Sequence, residues 1–227
     1  MLSHVKILHV VGFKWRREIS FRHLYRCLIL VYPKTIFLYS EVYMRVISGF
    51  LKGRKLQGYN LKGTRPTMDK IKEAVFAIIQ DSVRDTICLD LFAGSGSLGI
   101  EAISNGALKV YFVDNSREVI KVLKNNLLTL KIDDKSIIIN NDYMKSLNYF
   151  KDNKIRFDLI FIDPPYKNKI IKNILNYISD NSLLNKNGQV ICEYQDEELL
   201  NNYGNLVMIR RKRYNDKQIN IFKMDSI

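Results

Sequence analysis

The sequence predicts an α/β fold built on a mostly parallel sheet, and three observations carry that prediction. From Ile87 onward, short apolar runs alternate with amphipathic stretches, the pattern of strands joined by helices. A glycine-rich turn, Gly94 to Gly99, sits where the first of these strands passes into its helix, and chains of this class bind ligands at such strand ends. The last two strand-like runs, 207–214 and 218–223, are separated only by Asn215-Asp216-Lys217, which reads as an antiparallel hairpin finishing the sheet's edge.

The elements follow in order. Met44-Arg45-Val46-Ile47-Ser48-Gly49 opens a small hairpin, 45–49 with 54–57, that leads into a loop, Gly63-Thr64-Arg65-Pro66-Thr67. Ile71, Ala74, Val75 and Ile78 then recur at i, i+3, i+4, i+7, the spacing of one helix face. Strand 87–91 precedes helix 97–105, stopped by Gly106. Strand 109–114 precedes helix 117–130, and strand 136–142 precedes a short helix. Strand 158–163 precedes a helix around 170–178, and strand 189–194 closes the alternating series.

Residues 1–43 differ from the rest. They hold His4, His9, His23 and Trp15, with seven Lys/Arg against two acids, and no periodicity persists. They read either as a basic accessory arm or as sequence upstream of a true start at Met44. The second reading is preferred, because every motif lies later. The expected organisation is therefore an atypical N-terminal extension, 1–43, and one domain, 44–227.

A net charge of +13 concentrates polyanions, although a lysine-loading genome would give the same excess. Cys27, Cys88 and Cys192 are too scattered for a disulfide framework or a zinc site, so a reduced cytoplasm and no metal are expected. The uncharged apolar stretch 27–33 is too short to span a bilayer, and neither an anchor nor a signal peptide is read.

Gly94, Gly96 and Gly99 form G-x-G-x-x-G, and Asp114 ends the next strand. Glycines let the backbone turn while a cofactor approaches, and the second-strand carboxylate is placed to accept from ribose hydroxyls. That much suits NAD and S-adenosylmethionine equally. Asp90, just before the glycines, separates them. It would repel a pyrophosphate, but it suits a donor carrying a sulfonium and an ammonium. Asp142 is placed either to accept from the adenine amino group or to cap the helix after it.

Asp163-Pro164-Pro165-Tyr166 ends a nearly continuous apolar strand. An exocyclic amine of a base is a poor nucleophile, since its lone pair is delocalised into the ring. Asp163 and the Pro164 carbonyl can accept its two N–H groups and favour a pyramidal nitrogen. Two prolines hold those acceptors in place beforehand, and Tyr166 offers a face for an extruded base. Residues 44–227 contain no histidine, so Asp163 is the candidate proton acceptor.

Together, Met44 to Gly49, Gly53-Arg54-Lys55-Leu56, Thr64-Arg65-Pro66-Thr67, Asp90 to Gly99 and Asp163 to Tyr166 resemble the RsmD family. The likeness covers about residues 44–223. It implies a class I, Rossmann-like methyltransferase fold that uses S-adenosylmethionine. It also implies N2 of a guanine in 16S ribosomal RNA as the target, on a small-subunit assembly intermediate. It adds Phe92 to the cofactor set of Asp90, Gly94, Gly96, Asp114 and Asp142, and it places Arg54, Arg65 and Thr67 with Tyr166 on the substrate side. A monomer is expected.

Charge agrees with that reading. Eight basic residues against Asp69 lie between Met44 and Lys72, Arg210-Arg211-Lys212-Arg213 forms a second cluster, and Lys167 and Lys169 flank the tetrapeptide. A DNA amino-methyltransferase uses the same amine chemistry, but residues 44–227 leave no room for a target-recognition region. A non-catalytic RNA-binding assembly factor would need neither the glycine loop nor Asp163 to Tyr166. An NAD-dependent dehydrogenase is disfavoured by Asp90.

Overall fold

A computed structural model of the chain describes residues 43–58, 65–165, 170–195 and 197–225, with the side chains of 43 and 65–68 excepted. The N-terminal extension read at 1–43 lies outside the described residues, apart from the backbone of Tyr43. Among the described residues, ten strands and five α-helices follow in chain order. They are β1 (Tyr43–Arg45), β2 (Lys55–Gln57), α1 (Arg65–Ile79), β3 (Ile87–Asp90), α2 (Ser97–Ser104), β4 (Lys109–Asp114), α3 (Arg117–Leu130) and β5 (Ser136–Asn140). The rest are α4 (Tyr143–Asp152), β6 (Phe157–Ile162), α5 (Ile171–Asp180), β7 (Leu184–Tyr194), β8 (Asn202–Tyr203), β9 (Leu206–Tyr214) and β10 (Lys217–Met224).

Strands β1 and β2 pair antiparallel, with Met44 opposite Leu56. The main sheet has the order β5-β4-β3-β6-β7-β10-β9-β8. Its first five strands are parallel, and β10, β9 and β8 are added antiparallel. The chain moves outward from β3 through β4 to β5, then returns to place β6 on the other side of β3. That reversal is the switch point at which Rossmann-like sheets open a crevice.

Alternation along the strands serves two cores. Val110, Phe112, Leu159 and Phe161 pack with Val75 and Phe76 of α1, Ile100 of α2, Leu123 of α3 and the hairpin's Leu56. Leu89, Ile160 and Ile162 face the other way, onto Phe150 of α4 and Ile174 and Ile178 of α5. Side chains two apart share a face, so the central strands β3, β4 and β6 are buried on both sides, as a parallel sheet requires, while β5 at the edge is only half-buried. Phe76 stacks on Phe161 at 5.8 Å, while Tyr111, Phe150 and Phe157 meet edge to face.

Four expectations are corrected. The buried face of α1 is Ile71, Lys72, Val75, Phe76 and Ile79, with Ala74 and Ile78 only half-buried. Phe76 and Ile79 supply apolar groups to that face, and Lys72 shares it by meeting the buried carboxylate of Glu101. Arg65, Pro66 and Thr67 belong to the first turn of α1 rather than to a loop, where a proline's missing N–H costs nothing. Strand β7 starts at Leu184, five residues early, and the ladder is irregular between Phe157 and Leu159. Finally β8 adds a short strand beyond β9, so the hairpin is not the outermost element. No helix among the described residues is long and apolar enough to cross a membrane.

Candidate active site

At the carboxyl ends of the parallel strands lies a cavity of about 570 Å³, a size ordinary for a small-molecule site. Its walls are the segments following β3, β4, β5 and β6, together with Met44 and Ile170. After β3 the chain stays bonded to its neighbours: Leu91 N–H donates to Phe161 O at 3.1 Å and Ala93 N–H to Val113 O at 2.9 Å. The glycine loop therefore begins on a fixed platform.

Gly94 has φ +56°, and a Cβ there would meet nothing nearer than Phe92 O at 4.0 Å. It is needed for the left-handed backbone beside an open cavity. Gly99 is needed for contact instead: a Cβ would lie 2.2 Å from Phe112 Cε1, so α2 lies close on β4 only without a side chain there.

Asp114 closes this loop. Its Oδ2 accepts from Gly94 N–H at 3.0 Å and its Oδ1 from Ser116 N–H at 2.9 Å. The carboxylate both lines the cavity and ties the glycine turn to the end of β4. Asp142 is the N-cap of α4, with Oδ1 accepting from Met144 N–H (2.9 Å) and Lys145 N–H (3.2 Å). Capping and cavity lining thus coexist in one residue. Phe92 reaches the cavity too, tilted against Tyr143 with ring centroids 5.4 Å apart.

Asp90 is one layer behind. It is 2% exposed, and its Oδ2 accepts from Gly99 N–H at 2.9 Å. Burial pushes its carboxyl up to about 7, the Gly99 N–H opposes that rise, and the Asp114 charge adds to it. The sequence places Asp90 beside the ligand, but the cavity-lining residues do not include it. Strand β3 turns its carboxylate under α2, where it satisfies an otherwise orphan helix donor.

Asp163 and Pro164 leave β6 directly into the cavity wall. The Ile162–Cys192 pairing puts Asp163 beside Glu193 of β7, which is ion-paired with Lys217 of β10. Burial raises the Asp163 carboxyl well above the usual range, the Glu193 charge pushes the same way, and Lys217 opposes both.

The structure thus brings together Phe92, Gly94, Asp114, Asp142, Asp163 and Pro164. Gly96 packs under the loop, where a Cβ would lie 2.4 Å from Leu123 Cδ1. Arg54 is exposed on the hairpin, its guanidinium 3.5 Å from Thr129 O, and it does not line the cavity. The side chains of Arg65, Thr67 and Tyr166 lie outside the described residues. Met44, Asn115, Asn141 and Tyr143 were not foreseen as wall residues. Asn115 follows Asp114, and Asn141 and Tyr143 flank Asp142, so these three carried a local signal.

The wall has three carboxylates, Asp114, Asp142 and Asp163, and no Lys or Arg among the described lining residues. On a chain of net charge +13 this is a cavity suited to a cationic ligand and unsuited to a pyrophosphate.

The family described as conserved hypothetical protein 95 matches residues 44–223. The chain is 40% identical to the Bacillus subtilis protein YlbH, over 79% of this chain and 98% of that one. It is 35% identical to ribosomal RNA small subunit methyltransferase D of Haemophilus influenzae, over 74% of this chain and 88% of that one. Among solved structures, the Escherichia coli protein yhhF superposes with a TM-score of 0.72 at 28% identity, covering 82% of this chain and all of the other.

Proposed function

We propose, from the premise that the chain belongs to the family described as conserved hypothetical protein 95, the RsmD family, that it methylates N2 of a guanine in 16S ribosomal RNA. The donor is S-adenosylmethionine and the substrate a small-subunit assembly intermediate, met by a monomer in the cytoplasm. The observation that carries the reading is a cavity wall whose described residues include three carboxylates and no Lys or Arg, ending in Asp163 and Pro164.

When bound, S-adenosylmethionine supplies an electrophilic methyl on a sulfonium. The chain's own residues do the rest. Asp114 accepts from the ribose hydroxyls while holding Gly94, and Asp142 keeps Oδ2 outside its helix cap for the adenine amino group. Asp90 supports the loop through Gly99. Phe92 packs beside the donor. Asp163 and the Pro164 carbonyl accept the two N–H groups of the guanine amine, and Asp163 takes the proton that the methylated nitrogen sheds. Tyr166 stacks on the extruded base, and Arg54, Arg65 and Thr67 hold the RNA around it. The exposed Arg210, Arg211, Lys212 and Arg213 of β9 meet phosphates.

The decisive experiment deletes the gene and maps 16S RNA by mass spectrometry. One guanine should lose its N2 methyl and regain it when the gene is restored. An unchanged map would remove the proposal.

Asp114→Ala tests the donor site. It removes the ribose acceptor and also frees Gly94 N–H, so affinity for S-adenosylmethionine should fall by roughly 1–3 kcal/mol. Calorimetry would show this directly. Unchanged affinity would mean that Asp114 only ties the loop.

A further inference from the structure

A polar bridge lies behind the glycine loop. Asn126, in the second half of α3, is 4% exposed. Its Oδ1 accepts from Gln57 N–H at 2.9 Å, and its Nδ2 donates to Gln57 O at 3.0 Å and to Ser95 O at 2.9 Å. Asn125 adds a bond to the Gln57 side chain at 3.1 Å. Gln57 is the last residue of β2, and Ser95 lines the cavity.

One side-chain amide therefore mates with both backbone groups of a hairpin residue and with a carbonyl of the cavity loop. Packing alone does not call for it, since Leu123, Leu127 and Leu130 fill the same helix face with apolar groups. An apolar side chain here would strand three backbone groups without partners.

The hairpin's other half is anchored separately. Glu101 and Ser104 of α2 hold Ile47, Ser48 and Leu51. Asn126 is thus not required simply to dock the hairpin. What it adds is a link between the loop that shapes the cavity and the strand that carries Lys55, with Arg54 just before it and Arg45 opposite Lys55.

We propose that Asn126 is a positioning residue for methyl transfer, fixing the spacing between the donor loop and the RNA-facing hairpin. This rests on the reading of the cavity as the donor site given above. A ligand that stills the Ser95 loop restrains the Asn126 amide through Ser95 O, and Asn126 in turn restrains Gln57. Reacting groups tolerate little error in placement: a shift of about 1 Å costs about 100-fold in rate.

Asn126→Asp separates the two contacts. The carboxylate still accepts from Gln57 N–H, but it meets the Ser95 and Gln57 carbonyls with an acceptor instead of a donor. In the unaltered protein, S-adenosylhomocysteine should slow exchange of the Gln57 amide proton at least about fivefold, the lower end of ordinary site-to-site coupling, as read by NMR. In Asn126→Asp that slowing should vanish. Turnover at saturating donor and RNA should fall about 10–100-fold, with the KM for RNA and the donor Kd near their original values. Asn126→Ser, small enough to admit water, should behave alike and serves if the aspartate variant does not fold.

Equal protection in the variants, no protection in the unaltered protein, or an undiminished kcat would each overturn the proposal. The exchange measurement needs only protein and S-adenosylhomocysteine. It therefore judges Asn126 whatever the RNA is, whereas failure of the unaltered protein to methylate small-subunit particles would count against the proposed function instead.

Discussion

Replacing Asp163 by alanine is expected to leave donor affinity nearly unchanged and to lower turnover by about 100-fold or more. The substitution removes an acceptor at the cavity wall without touching the glycine loop, whose bonds run to Asp90 and Asp114. Single-turnover methyl transfer to unmethylated small-subunit particles measures the loss, with calorimetry for the donor in parallel.

The same residue sets a pH dependence. Below its raised pKa the carboxyl carries a proton and donates; above it the carboxylate accepts. Turnover should therefore rise with pH through a value above the ordinary carboxylate range, and Asp163→Ala should flatten that limb. Folding raises this pKa, so the group's contribution to stability is full below its unfolded pKa and is lost as pH rises through the folded one. At alkaline pH the alanine variant should accordingly melt no lower than the unaltered protein. Methyl transfer at the original rate would reduce Asp163-Pro164-Pro165 to a rigid turn.

Glu101→Ala is expected to cost about 3–5 kcal/mol of stability, the scale for stripping the partner from a buried charge. Glu101 is fully buried on α2. Its Oε1 accepts from Ile47 N–H at 2.5 Å and lies 3.3 Å from Lys72 Nζ, and its Oε2 accepts from Ser48 N–H at 3.2 Å. Lys72 also donates to Arg45 O at 2.7 Å. One carboxylate thus binds the β1–β2 hairpin and α1 to α2, and removing it leaves an ammonium and two backbone donors without it. Glu101→Gln keeps one acceptor oxygen at the site and should cost less than the alanine. Denaturant titration of the three proteins checks the order. A loss below about 1 kcal/mol, the range of exposed pairs, would show that water reaches the pair.

Much of the fold was legible because it is written in local periodicity. The helix predicted at 117–130 coincides with α3, and Ser116 caps it through Val119 N–H. The strand predicted at 109–114 coincides with β4. Gly94, Asp114 and Asp163 could be placed at strand ends, and parallel strands bring their carboxyl ends to one edge, so these residues meet without further information.

Other features were closed to the sequence for a physical reason. Lys72 counts in the sequence with the basic cluster expected to meet RNA, yet it is buried against Glu101, 29 positions away. Asp90 reads as a ligand contact, yet its partner is Gly99 of the following helix. Asn126 carries no signal of its own in the sequence, and its three bonds reach back 31 and 69 positions. Spacing along the chain reveals which face of an element is apolar. Which buried polar group finds which partner depends on how α1, α2, α3 and the hairpin pack, and only the tertiary structure decides that.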